Sequence, residues 1–326
     1  MVVRGLATVT SVIRRTGLLM TAVASVAALT ACGTGSSQPN AAVIIDDRTI
    51  SVDDVQSMLD RIVKEQPAAQ TLAQQHKLDL VAREIVTQLV THELLTAVAE
   101  ADDLTPDPDQ VQEFKEQNPF AEELPTDGSV PPEQLVSQLV YRARGADAYV
   151  NDQLLLAELA STYLGRAQAT YNILAVSDGD EARKLAEEIA ADPDRSGDLM
   201  DAAQGELGAP ALEQPTGGSP NGVLLAGVDN AVYIFPPAEG SGEAYNVVHV
   251  LSTDVSSTPA DDFDPTQIEA TQLPSLGRYL LRAQAVEDHI EISPRFGVWN
   301  YATQTVVPTT EAKVGEQVVL PGADNR

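Results

Sequence analysis

The chain has 326 residues, of which 48 are acidic and 20 are basic, and its formal net charge is −28. So acidic a surface repels phosphate backbones and disfavours nucleic-acid binding, and a single Cys excludes an intramolecular disulfide, a Cys-rich zinc site and an iron–sulfur cluster. The hydrophobic share of 43% is typical of a soluble globular protein, and the length indicates more than one hydrophobic core.

The N-terminal segment has the order of a secretory signal. Residues 1–15 contain three Arg and no acidic residue, and residues 16–31 are uncharged. This uncharged stretch falls short of the ~20 residues that span a bilayer. Leu29-Thr30-Ala31-Cys32 resembles the bacterial lipobox, whose Cys is acylated and becomes the new N-terminus. A plain signal cut a few residues away is the alternative.

We therefore predict a lipoprotein signal over residues 1–31, a lipid on Cys32 and a flexible Gly/Ser tether over residues 32–40. The signal holds three basic residues and no acidic one, so its removal makes the net charge −31. Arg14-Arg15 leaves the export route open between general secretion and the twin-arginine pathway.

The next part of the chain predicts a helical bundle. Residues 42–50 indicate two short strands around an acidic turn. Ser51 and Asp54 approximate a capping box, and the apolar spacing from Val55 predicts a helix that Pro67 ends. Further helices are predicted at about 71–101, 109–116 and 132–164, with a Pro/Gly-bearing loop at 118–132 before the last.

The pattern changes at Ala169. Residues 170–176 and 245–251 predict strands, and residues 180–191 predict a helix. Residues 192–243 are rich in Gly and Pro and predict an irregular middle with short apolar runs. Together these segments form a unit of roughly 85 residues, the size of a small α+β domain.

The C-terminal part returns to helical spacing. After a polar linker, residues 265–292 predict a helix interrupted at Pro274, and residues 293–300 predict an aromatic strand or turn. A lone helix buries its apolar face only by packing back on the first bundle. Phe296 and Trp299 are expected to pin this end there, and residues 309–326 are expected to be a disordered tail.

This layout resembles the extracytoplasmic foldase family of SurA and PrsA. The similar stretches are 43–51 (VIIDDRTIS), 89–106 (LVTHELLTAVAEADDLTP), 171–176 (YNILAV), 205–208 (GELG), 245–250 (YNVVHV) and 294–299 (PRFGVW). The resemblance implies a mostly α chain with an inserted α+β domain. Its parts are a helical chaperone domain at 41–166, a parvulin-like prolyl isomerase domain at 167–252, and a linker with a helix and strand at 253–308 that completes the helical domain.

The resemblance places Asn172 and Asn246 where parvulins carry a His on each of two strands. Asn donates and accepts hydrogen bonds but supplies no titrating imidazole. We therefore predict a degenerate isomerase domain with no catalytic residues. Asn172, Tyr245 and Asn246 are its candidate peptide-binding residues, and His249 is expected to face solvent or to pack.

No metal or cofactor is expected. The four His, at positions 76, 92, 249 and 289, lack the i, i+4 spacing of a zinc hydrolase, and no nucleotide-binding or serine-hydrolase motif occurs. Asp178 begins an acidic turn better explained by helix capping than by calcium.

The expected function is that of a membrane-anchored extracytoplasmic chaperone. It would assist the folding or transit of exported proteins, with unfolded or partly folded polypeptides as partners and no nucleic acid. An active prolyl isomerase, which a protease-coupled prolyl-peptide assay would reveal, is one alternative. An envelope lipoprotein serving as a partner-specific interaction module, with one dominant cross-linked partner, is the other.

Overall fold

The computed structural model describes residues 40–118, 120–207, 228–235, 237, 244–255 and 268–309. The predicted signal, Cys32 and the tail from residue 310 lie outside these residues. The described part is mostly helical with small antiparallel sheets. None of its helices combines the length and the apolar character that crossing a bilayer requires.

Ten α-helices are found in the described part of the chain. They are α1 Val52–Glu65, α2 Pro67–Gln74, α3 Leu78–Ala101, α4 Pro108–Glu116, α5 Pro132–Arg144, α6 Ala146–Tyr163, α7 Gly179–Ala191, α8 Ser196–Leu207, α9 Leu273–Leu280 and α10 Arg282–Glu287. The strands are β1 Ala41–Ile45, β2 Arg48–Ser51, β3 Gln168–Val176, β4 Val232–Phe235, β5 Tyr245–Asp254, β6 Ile290–Ile292, β7 Val298–Asn300 and β8 Thr305–Val307.

Side-chain caps begin two of the predicted helices. The Ser51 hydroxyl accepts a hydrogen bond from the Asp54 N–H at 3.1 Å, and the Asp54 carboxylate accepts one from the Ser51 N–H at 3.3 Å. The predicted capping box is therefore confirmed. Asp178 caps α7 by accepting from the N–H groups of Asp180 and Glu181, which confirms its capping role.

Each of the two long predicted helices is in fact a pair. His76, with φ of +58°, separates α2 from α3, and Gly145, with φ of +92°, separates α5 from α6. A residue with positive φ cannot continue a right-handed helix. Apolar spacing passes across both breaks, so it does not reveal them. A further difference is α8, which lies in the region predicted to be irregular.

The main core joins the two ends of the described chain. β1 pairs antiparallel with β2 on one side and with β6 on the other. Phe296 and Trp299 are buried in the same cluster as Ile85 and Leu94 of α3, so their predicted anchoring role is confirmed. Helix α9 packs against α6, and α10 and β8 pack against α3. The C-terminal segment thereby covers part of the helical bundle.

A buried carboxylate fixes the inner side of α6. One oxygen of Asp152 lies 2.8 Å from Nδ1 of His92 on α3, and the other lies 2.7 Å from Nη2 of Arg144 at the end of α5. Both Asp152 and Arg144 are largely buried. These contacts hold one side of α6 against α3 and α5. The position of the opposite side of α6 is therefore fixed as well.

A second sheet, in the order β3-β5-β4, carries packed residues on both faces. One face packs on α7 and α8 through residues such as Leu174 and Met200. The other face contains Tyr233 and Val248, which share a cluster with Ala302. Ala302 lies in the turn at residues 301–304 between β7 and β8, called the C-terminal turn below. Alternate residues of each strand point to opposite faces of this sheet.

Candidate functional site

Asn172 is half-buried on the face of the second sheet that packs on α7 and α8. Its Nδ2 donates a hydrogen bond to the hydroxyl of Ser196 at 3.1 Å, and Ser196, the first residue of α8, is buried. In the strand register Asn172 stands opposite His249. The amide is thus hydrogen-bonded to a helix start within the fold.

Asn246 lies on the other face of the same sheet. Its register partners are Ala175 on β3 and Phe235 on β4. Opposed residues of an antiparallel pair share a face, and successive residues alternate. Asn172 and Asn246 therefore point away from each other, and the structure does not bring the two together as a sequence match to two catalytic positions implies.

Tyr245 shares the face of Asn172 but lies toward the other end of the strands. It pairs with Val176, four positions from the Asn172–His249 pair, a separation of about 13 Å along a strand. Its ring packs on the start of α7, 3.2 Å from where a Cβ on Gly179 would stand. The three candidate peptide-binding residues thus belong to three separate surroundings.

His249 is almost fully buried, with 1% of its surface exposed, so it packs rather than faces solvent. Its register neighbours are Asn172 and Val232. Within the described residues neither ring nitrogen has a hydrogen-bond partner. Burial disfavours the charged imidazole and lowers the pKa of His249.

This burial predicts a pH-dependent stability. Because the pKa of His249 is lower in the folded state, protons bind the unfolded chain more readily. The contribution of neutral His249 to the free energy of unfolding should be complete above the unfolded pKa of about 6.5. As the pH falls from there through the folded pKa, this contribution should be lost by at most about 1.4 kcal/mol per pH unit. Urea unfolding of the wild type and of His249→Gln between about pH 8 and pH 5 measures the difference.

His76→Gln is the matched control, because His76 is exposed on the turn between α2 and α3. It should keep the wild-type pH dependence. If His249→Gln also keeps the wild-type pH dependence, His249 is not the group whose proton binding differs between the folded and the unfolded chain.

An apolar groove of about 760 Å³ lies between α4, α6 and the start of α9. Its walls include Phe114, Tyr149, Leu154, Leu273 and Pro274. This volume falls within the range of binding pockets, about 300–1,000 Å³. Leu154 faces the groove and belongs to none of the hydrophobic clusters.

Four aromatic rings meet in edge-on and tilted contacts at one end of the groove, and two of them, Phe114 and Tyr149, line it. Tyr149 has its ring centroid 6.1 Å from Phe114, 5.2 Å from Phe120 and 4.6 Å from Tyr141. The whole chain has only eight Tyr, five Phe and one Trp. Four of these aromatic residues lie between residues 114 and 149. This concentration in an aromatic-poor chain is a sequence signal that could have indicated the region.

A second, polar groove of about 1,100 Å³ lies on the other side of the Ala270–Gln272 turn. Glu122, Glu123 and Glu133 are exposed along it, and Thr271 borders both grooves. The sequence prediction missed both grooves, because each is closed by residues near 270 that are distant in sequence from the opposite wall.

Metal chemistry finds no support in the part of the chain that the structure describes, where no group of three or more His, Cys, Asp and Glu side chains could hold an ion. The two grooves are built from apolar, aromatic, polar and acidic side chains.

Comparison with known proteins gives little further information. No family model matches the chain, and no curated protein matches it. Among solved structures, the foldase protein PrsA from Lactococcus lactis aligns with 12% identity over 78% of this chain and 94% of its own, with a TM-score of 0.21. That TM-score is below the level of a shared fold.

Proposed function

We propose that this protein is an extracytoplasmic chaperone that binds unfolded segments of exported polypeptides in the apolar groove. The observation that carries the proposal is the groove itself, in which Leu154, Phe114 and Tyr149 present apolar surface outside the hydrophobic clusters. Unfolded chains expose apolar side chains, and the groove offers a concave surface on which to bury them.

The expected affinity suits reversible holding. Burying two large apolar side chains contributes about 3–6 kcal/mol, from which the ordering of the bound segment must be subtracted. One segment therefore binds no tighter than about 0.04 mM, and in the millimolar range or weaker once the ordering cost is subtracted. Such binding delays aggregation while leaving the client free to dissociate and fold.

The test is suppression of aggregation. Light scattering of a refolding, aggregation-prone client should fall when the wild type is added at several-fold molar excess. Leu154→Gln should weaken the suppression, because it replaces exposed apolar surface in the groove with an amide. Unfolding midpoints of both proteins show whether the variant keeps its fold.

Val286→Gln is the matched control. Val286 is a partly exposed apolar residue of α10 that borders neither groove and belongs to no hydrophobic cluster. It should leave the suppression unchanged. No suppression by the wild type, or the same loss in both variants, would contradict the proposal.

Anchoring at the outer face of the cell membrane is the second part of the proposal. It rests on the lipobox-like Leu29-Thr30-Ala31-Cys32 and on the apolar segment before it. Several buried acyl chains, at about 0.8 kcal/mol per CH₂, are enough for stable attachment. Cys32→Ser is expected to move the protein from the membrane fraction to the soluble one, and retention in the membrane would refute lipidation at this residue.

The proposal includes no isomerase activity. Rotation about an X–Pro bond has a barrier of about 18–20 kcal/mol, which a shaped pocket must lower. Two observations support inactivity: Asn172 and Asn246 carry no titrating group, and the sheet register turns them to opposite faces. The relation to the SurA and PrsA foldases stays part of the proposal.

A further inference from the structure

The two grooves are neighbours on one surface. Thr271 borders both, so only the turn at Ala270–Gln272 and the first residues of α9 lie between them. Pro274 faces the apolar groove, and Ser275, the next residue, faces the polar one. An extended polypeptide that crosses the Ala270–Gln272 turn can therefore place one side chain in the apolar groove and a nearby side chain in the polar groove.

Acidic side chains outnumber basic ones along this surface, by five to one among the described wall residues. In the described walls of the polar groove the acidic residues are Glu122, Glu123 and Glu133, and those of the apolar groove are Asp107 and Glu158.

Arg142 is the one basic side chain in the described walls of the two grooves. Its Nη1 donates to the carbonyl of Phe120 at 3.0 Å, its Nη2 donates to the carbonyl of Glu122, and its guanidinium lies 5.4 Å from the centre of the Phe120 ring. Arg142 thus holds the loop in place and neutralises none of the three Glu side chains by an ion pair.

We propose that the paired grooves select polypeptide segments in which Lys or Arg lies a few residues from a large apolar side chain. The inference rests on the proposed function and gives it a substrate class. The apolar groove takes the hydrophobic side chain, and the carboxylates of Glu122, Glu123 and Glu133 attract the cation. Acidic or uncharged segments with the same apolar content bind more weakly.

The expected discrimination is modest because these carboxylates are exposed. Attraction between solvent-exposed charges is weak for each pair and is screened by salt. Three carboxylates acting on two cations should give a roughly three- to tenfold difference in dissociation constant between a Lys peptide and a Glu peptide. The difference should shrink at about 0.5 M NaCl.

The experiment measures fluorescence anisotropy of three labelled ten-residue peptides with the full chain in detergent. All three carry the same two Leu and one Phe, with two Lys, two Gln or two Glu at the remaining variable positions. We expect the Lys peptide to bind tightest and the Glu peptide weakest. The triple variant Glu122→Gln, Glu123→Gln, Glu133→Gln should bind the Lys peptide no better than the Gln peptide.

A second triple variant separates local charge from net charge. Glu65→Gln, Glu100→Gln, Glu187→Gln removes the same charge at exposed positions away from the grooves and should keep the wild-type preference. Equal binding of the three peptides, or the same effect in both triple variants, overturns the inference and leaves the chaperone proposal standing. If none of the peptides binds and Leu154→Gln changes nothing, the chaperone proposal fails as well.

Discussion

Replacing Gly277 with Ala should lower the free energy of unfolding by about 3 kcal/mol, near the upper end of the usual overpacking cost. Gly277 lies where α9 crosses α6, and a Cβ there would stand 2.0 Å from the carbonyl oxygen of Leu156 and 2.8 Å from its carbon. These are backbone atoms within a helix, so no side-chain rotation relieves the clash. The helices must separate, and α9 must carry its groove-lining residues with it. Urea unfolding gives the loss of stability, and the peptide-binding assay gives the loss of groove geometry.

Gly197→Ala is the control, since a Cβ on this residue of α8 meets nothing within 4 Å. Ala in place of a helical Gly is expected to be neutral or to stabilise by up to about 1 kcal/mol. If Gly277→Ala lowers the free energy of unfolding while Gly197→Ala leaves it unchanged or raises it, the loss is due to the crossing of α9 and α6. If Gly277→Ala unfolds at the wild-type urea concentration, the close approach of α9 and α6 is wrong.

Arg282→Met should destabilise the protein by about 3–5 kcal/mol. Arg282 is fully buried at the start of α10, where its Nε donates to the carbonyl of Tyr301 at 2.9 Å and its Nη2 to that of Ala302 at 3.0 Å. Its guanidinium also lies 4.6 Å from the ring centre of Tyr233 on β4. Met fills a similar volume but donates nothing, so both carbonyls lose a charged donor.

Relief of the buried charge acts in the opposite direction. Burial lowers the pKa of Arg282, which means that the folded state bears a cost for the cation. Hydrogen bonds to a charged group are worth about 1.5–3 kcal/mol each, and an unsatisfied buried carbonyl costs about 1–3 kcal/mol. The Tyr301 carbonyl keeps a hydrogen bond from Nε2 of Gln304 at 2.7 Å. Because the Ala302 carbonyl loses its charged donor and the cation–π interaction with Tyr233 is also removed, the destabilising contributions exceed the gain. Denaturant unfolding of the full chain measures the net effect.

Arg295→Met makes the same chemical change at an exposed position. Arg295 lies over the ring of Phe296 at 5.2 Å, but water replaces what it loses. We expect a change within about 0.5 kcal/mol. A similar small value for Arg282→Met would show that the buried cation contributes nothing net to holding α10, β4 and the C-terminal turn together.

Helix starts and strand positions were predictable because their causes are local. Ser51 and Asp178 satisfy the first N–H groups of their helices within three residues along the chain. The breaks at His76 and Gly145 depend on one backbone angle each, which apolar spacing does not record. Helix α8 was missed because its segment contains Gly and acidic residues around Met200, which is its buried apolar anchor.

The candidate site was harder to predict because it depends on distant pairings. Asn172 and Asn246 each stand at the second residue of a similar local motif, and only the register between β3 and β5 decides that they face opposite sides. The grooves need Phe114 and Leu273 on facing walls. No pattern within a window of sequence contains that contact, although the nearby concentration of aromatic residues marks one side of it.

The central position of β1 in the sheet β2-β1-β6 determines when that sheet can form. Its partner β6 is among the last described parts of the chain to be synthesised, and Arg48, next to β1, pairs with Asp288 across 240 residues at 3.0 Å. Contacts between such distant segments form slowly, since the intervening chain must be ordered first. A chain emerging from its N-terminus therefore leaves one edge of β1 open until residue 290 has appeared. The sheet β2-β1-β6 therefore closes only after residues 290–292 are available, and a product truncated before them would leave that edge of β1 unpaired.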